Sequence, residues 1–177
     1  MLAAYAGPVT VLLTARLALR EMTDDDLDDL AALLGDPAVM AYYPRPYTRE
    51  QARGWIDWNR RSYRDNGFGL WVMTLRETGE FVGDCGLTVQ HVDGAAETEV
   101  GYHVRADLQG RGYAAEAAAA ARDHGRDALG VRRLIAIIHP LNIPSQRVAL
   151  RTGLRPEKHV PRPDGTRVVI YAADLSR

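Results

Sequence analysis

Gln109, Gly110, Arg111, Gly112, Tyr113 and Ala114 follow one another where an alternating stretch (Val100, Tyr102, Val104) gives way to a run of strong helix-formers, Ala114 to Ala121. The first N–H groups of a helix lack intrahelical acceptors, and the helix dipole puts partial positive charge at that end. Glycine has no Cβ to hold a phosphate away and accepts left-handed dihedrals. Arg111 adds a formal charge. The hexapeptide therefore reads as an anion site, and a plain tight turn is the alternative.

Other residues with chemistry to offer lie on either side. Glu99 precedes His103 by four residues in the strand-like stretch, and Asn142 and Ser145 follow an apolar run. The five histidines are scattered without metal-ligand spacing, so no metal site is implied. The single cysteine, Cys85, excludes an intramolecular disulfide and reads as a small buried filler.

Positioning these residues falls to a regular alternation of elements. Residues 16–20 alternate as a first strand. Thr23, followed by Asp24, Asp25 and Asp26, opens a helix with Leu27, Leu30, Ala31 and Leu34 as its apolar stripe. Residues 40–47 form a proline-broken connection whose Tyr42, Tyr43 and Tyr47 suit either a substrate mouth or packing at the sheet edge. Thr48 and Gln51 have capping-box spacing for a second helix that carries Ala52, Trp55, Ile56 and Tyr63 on one face. Residues 69–76 and 80–91 predict a hairpin, and a turn at 92–94 leads into the strand ending at Val104, giving an antiparallel meander.

After the alanine-rich helix, the apolar run at 132–138 predicts an interior strand. The helical crossover makes it parallel to its predecessor. A helix from Asn142 stops at Gly153, and residues 157–161 and 166–174 form a last hairpin. The expected fold class is α/β, a mixed and mostly antiparallel sheet with about four flanking helices. One domain spans residues 14–177, and residues 1–13 are an extension expected to be poorly ordered or loosely docked.

The hexapeptide fits Gln/Arg-x-x-Gly-x-Gly/Ala and resembles the pyrophosphate loop of the GCN5-related N-acetyltransferases (GNAT), most of all the subgroup containing the ribosomal-protein N-terminal acetyltransferases. The run from Glu99 to Val104, then Ala115-Glu116-Ala117, the run from Ile137 to Ser145 and that from Ala149 to Leu154 extend the resemblance over nearly the whole chain. Gly110, Gly112 and Ala115 also satisfy the dinucleotide fingerprint. That loop belongs near the start of a parallel sheet, with an acidic residue closing the next strand. Here antiparallel strands come first, and the next strand ends Ile138-His139-Pro140.

The resemblance implies acetyl-CoA as acyl donor, bound where two central parallel strands (97–104 and 132–139) splay apart. It implies that backbone groups of His103, Val104 and Arg105 bind the pantetheine arm, with help from Asn142 and Ser145. The loop Gln109, Gly110, Arg111, Gly112, Tyr113 and Ala114 would wrap the diphosphate. Primary amines titrate near ~10.4, so a base must take a proton before or during attack. The family's pattern gives that role to Glu99. Many relatives place a tyrosine acid where this chain has Ala149, and Ser145 is the replacement that some members suggest. His103 is implied to act through its backbone.

A chain of 177 residues with formal net charge −1 gives no reason to expect nucleic acid or an anionic membrane as partner. No stretch has the apolar length of a membrane span and residues 1–14 lack a basic leader, so a cytoplasmic protein is expected. The acceptor is a small-molecule amine or a peptide or protein N-terminus, and family habit allows a homodimer. A catalytically silent acyl-CoA-binding module is the rival reading, favoured by Ala149.

Overall fold

The computed structural model describes residues 9–176. Eight strands form one sheet in the order β1-β2-β3-β4-β5-β6-β8-β7. They are β1 Thr10–Leu13, β2 Leu17–Arg20, β3 Leu70–Leu75, β4 Phe81–Val92, β5 Ala95–Val104, β6 Arg133–Ile138, β7 Arg155–Pro161 and β8 Arg167–Asp174. All neighbours are antiparallel except β5 and β6. Four helices flank them: α1 Leu27–Gly35, α2 Arg49–Asn66, α3 Tyr113–Asp127 and α4 Ile143–Arg151.

Strand alternation sorts the core into two faces. Leu70 and Val72 of β3 pack with Leu30, Leu34 and Ile56 of α1 and α2. Trp71 and Met73 point the other way, into a cluster holding Val100 and Val104 of β5, Ala117, Ala118 and Ala121 of α3, and Ala149 of α4. Alanine along α3 lets that helix lie close on β4 and β5. A Cβ on Gly125 would sit 3.1 Å from the Leu87 side chain, so the approach is tight.

The capping box of Thr48 and Gln51 is present, and Gly67 ends α2 with φ 78°. The helix expected after Thr23 begins instead with a short 3₁₀ turn, Asp24–Asp26, whose Asp26 is drawn onto Arg20. The expected N-terminal extension needs correcting over its last residues. Thr10–Leu13 is an edge strand paired with β2, and Val11 and Leu12 pack on the main core. Val11, Leu12 and Leu13 are apolar in succession, so no alternation marks this strand. The remainder of the extension lies outside the described residues.

Candidate active site

The parallel pair β5 and β6 is hydrogen-bonded in register at two positions only, Thr98 with Leu134 and Glu99 with Ile135. Past Glu99, β5 stays zipped to β4 as far as Val104, and β6 stays zipped to β8 as far as Ile138. Each strand follows its other neighbour, so a wedge opens between them. Backbone groups along its two lips have no ladder partner.

Glu99 sits at the apex. One carboxylate oxygen accepts the Ile137 N–H across the gap (3.3 Å), and the other accepts the Thr88 hydroxyl (3.0 Å). Burial pushes its carboxyl above the ordinary value, against the pull of these hydrogen bonds. A carboxylate so placed is a better base than an exposed one. Glu97, the neighbour on the same face, is instead paired with Arg133.

The lips differ from the expectation in one respect. Arg105 N–H is bonded to Val82 O on β4 (2.9 Å), and its guanidinium is held by Glu80 and Asp107. Successive residues of an antiparallel strand turn their backbone groups to opposite sides. His103 and Arg105 therefore spend theirs on β4, and those of Tyr102 and Val104 face the gap. Val104 O accepts the Gln109 side-chain amide (3.1 Å), which ties the loop to the end of the strand.

In the loop, Gly110 and Gly112 have φ 76° and 85°, left-handed values that favour glycine. Gly112 is the N-cap of α3 and offers no side chain; the first N–H bonded within the helix is that of Glu116, to Gly112 O. The amides of Tyr113, Ala114 and Ala115 are left to face an incoming anion. Arg111 reaches back to Asp107 O (3.2 Å).

Sequence reasoning missed the brace beneath this loop. Arg16 donates to Glu116 through its backbone N–H (2.8 Å) and Nε (2.6 Å), and to Arg111 O through Nη1 (2.9 Å). Its guanidinium lies 4.5 Å from the centre of the Tyr113 ring. The Thr14 hydroxyl also donates to Glu116 (2.6 Å). Partial burial would raise the Glu116 carboxyl, yet these donors hold it below its usual value. The turn before β2 thus fixes the start of α3.

On the α4 side, Asn142 is the helix N-cap, accepting Ser145 N–H through Oδ1 (3.1 Å). Ser145 Oγ lies 2.9 Å from the Tyr102 hydroxyl, which also donates to Ser145 O (3.0 Å). Ala149 is fully buried in the core, and Tyr102 packs on the same cluster. A tyrosine hydroxyl therefore stands against the first turn of α4, supplied by β5. Burial pushes that phenol well above its ordinary value.

On the opposite face, the β4–β5 register sets Asp84 beside His103. His103 Nδ1 is 2.7 Å from Asp84 Oδ1, Trp55 Nε1 donates to Asp84 Oδ2 (3.0 Å), and Tyr43 Oη is 2.8 Å from His103 Nε2. The expectation that the His103 backbone matters more than its side chain said nothing of that side chain's partners; it is buried and doubly bonded. An aspartate between Gly83 and Cys85 in an apolar strand was the one available signal for such a partner.

Comparisons with known proteins bear on the family and the fold. Residues 16–155 match the family model described as an acetyltransferase (GNAT) domain. The chain is 38% identical over 152 residues to YkkB of Bacillus subtilis (strain 168), covering 85% of this chain and 88% of the relative. It is 32% identical over 145 residues to the uncharacterised N-acetyltransferase YnaD of the same organism, covering 81% and 82%. An acetyltransferase crystal structure from Agrobacterium tumefaciens str. C58 superposes with TM-score 0.79 at 29% identity, covering 98% of each chain. RimL, a ribosomal L7/L12 alpha-N-protein acetyltransferase solved with coenzyme A, shares the fold at 18% identity, with TM-score 0.76 and 94% and 98% of the two chains covered. A wedge between parallel strands, an uncapped helix start behind two left-handed glycines, and a family match across both lead to one assignment: this chain belongs to the GNAT family and is an N-acetyltransferase.

Proposed function

We propose that the protein transfers the acetyl group of acetyl-CoA to a primary amine by direct attack within a ternary complex, in the cytoplasm expected from its sequence. The observation that carries this reading is the two-position pairing of β5 with β6, which leaves a strand-shaped vacancy lined by the Tyr102 and Val104 backbone. Pantetheine amides complete that ladder, as a missing strand would. The diphosphate lies on the N–H groups of residues 110–114, and the Asn142 side-chain amide steadies the arm.

Glu99 takes a proton from the attacking nitrogen. A gap-facing N–H of β5 stabilises the oxyanion in the position where charge develops. The Tyr102 and Ser145 hydroxyls protonate the departing thiolate, so the chain does without a tyrosine at position 149. Acceptor candidates are small-molecule amines and peptide or protein N-termini, and a homodimer is part of the same reading.

Release of free thiol from acetyl-CoA in the presence of a panel of amines and N-terminal peptides tests this. The wild type should turn over at least one class. Tyr102→Phe should lower kcat by about 10–10²-fold with little change in KM, the mark of an acid used only in the transition state. Tight CoA binding with no turnover across the panel would favour the silent module.

A further inference from the structure

The acceptor face of the wedge carries a chain of side chains that the transfer step alone does not use. Asp84 has no exposed surface, and both its oxygens are engaged, by His103 and Trp55. His103 is 8% exposed and is bonded at both ring nitrogens. Tyr43, at the far end, is 43% exposed, yet it turns its hydroxyl inward onto His103. A buried carboxylate is thereby connected through an imidazole to a half-exposed tyrosine whose hydroxyl faces inward.

The same segment bridges the mouth of the wedge. Tyr43 lies tilted against His103 of β5 (5.4 Å between ring centres), and Tyr42 lies tilted against His139 just beyond β6 (5.2 Å). An amine moving toward Glu99 from this face passes beneath two aromatic rings, whose faces attract an alkylammonium.

We propose that Tyr43, His103 and Asp84 form a proton-exit relay for the acceptor, with Tyr43 the group that touches its ammonium; this rests on the acetyl-transfer reading above. In this relay His103 donates Nδ1–H to Asp84 Oδ1, so Nε2 accepts the Tyr43 O–H. An ammonium N–H bond breaks as Tyr43 Oη takes its proton, while the proton of Tyr43 moves to His103 Nε2. The products are a neutral amine, a neutral tyrosine and an imidazolium held by Asp84. That proton later returns through Tyr43 to water. The second amine proton goes to Glu99 after attack, the thiolate takes one from the Tyr102–Ser145 pair, and Glu99 gives its proton to water while that pair takes one back, so one proton leaves per turnover.

Electrostatics agree with this direction of transfer. Burial lowers the His103 value, but the charge and hydrogen bond of Asp84, with Glu99 behind it, leave it raised overall. The charged and titratable groups facing the relay are Asp84 on β4, Glu99 on β5, Tyr43 itself, Tyr47 before α2, and Arg162 between β7 and β8, which acts on both Glu99 and Tyr43.

Two readouts on wild type, Tyr43→Phe and His103→Gln test the relay. Imidazole ¹⁵N NMR should show Nδ1 of His103 protonated at every pH, with a titration that moves in Tyr43→Phe. An Nε2–H tautomer, or a titration indifferent to Tyr43, overturns the relay whether or not any amine is acetylated. In kcat/KM profiles, Tyr43→Phe should lose about 10–10²-fold near pH 7 and recover toward pH 9, where water can deprotonate the amine. A uniform loss across pH would mark a packing role and overturn the relay. Failure of the transfer reading looks different: no thiol release by the wild type, with the NMR result standing by itself.

Discussion

Replacing Glu99 by glutamine is expected to lower kcat by about 10²–10⁴-fold near neutral pH while leaving CoA affinity unchanged. Glutamine keeps the oxygen that accepts Ile137 N–H and the contact with Thr88, so the apex of the wedge is preserved and only the base is lost. The active form of Glu99 is the carboxylate, and burial raises its pKa. Wild-type kcat should therefore rise with pH through that elevated value and level off. The variant lacks this limb.

The linked stability change has the opposite sign. A carboxyl whose folded pKa is raised binds its proton more tightly in the native state, so its contribution is favourable at low pH and lost as pH rises through the folded value. Glu99→Gln should then melt no lower than wild type at pH 7, with any advantage vanishing in acid. Rate profiles and thermal melts at pH 5 and 7 measure both effects. An unchanged kcat across the range removes Glu99 from the chemistry.

Gly112→Val should raise the Kd for CoA by about 10²-fold or more. A β-branched residue at φ 85° is strained by about 1–2 kcal/mol or must leave the left-handed region. Either outcome turns the α3 amides away from the anion or puts a side chain in its path. Losing one or two charge-assisted hydrogen bonds, at about 1.5–3 kcal/mol each, accounts for the expected loss. The built Cβ itself meets only the Arg16 guanidinium, at 3.3 Å, and that flexible end can yield. The fold should survive, with a melting point lower by about 2–8 °C. Calorimetric titration with CoA gives the affinity, and wild-type binding by the variant would remove the loop from the site.

Much of this architecture was legible because each element carries its own local signal. Thr48 and Gln51 mark a helix start, Gly153 a helix stop, and the glycines at 110 and 112 a turn that no other residue makes as readily. The meander and the crossover then fix which strands are neighbours. What stayed hidden depends on register and on partners distant in sequence. Asp84 meets His103 only because β4 and β5 pair as they do, and Glu116 finds Arg16 one hundred residues away. Backbone direction is likewise invisible in the letters: whether His103 or Tyr102 faces the gap depends on which side β4 occupies. The short β1 escaped because Val11, Leu12 and Leu13 are apolar in succession and do not alternate, whereas Tyr102 was overlooked because its face is otherwise occupied by core.

A crystal structure with CoA bound tests the central claim most directly. The account predicts the diphosphate on the amides of residues 110–114 and the pantetheine arm between β5 and β6, bonded to the backbone of Tyr102 and Val104, with its sulfur near Glu99 and the Tyr102 hydroxyl. A ligand seated elsewhere, or strands β5 and β6 closed along their length beside it, would contradict it.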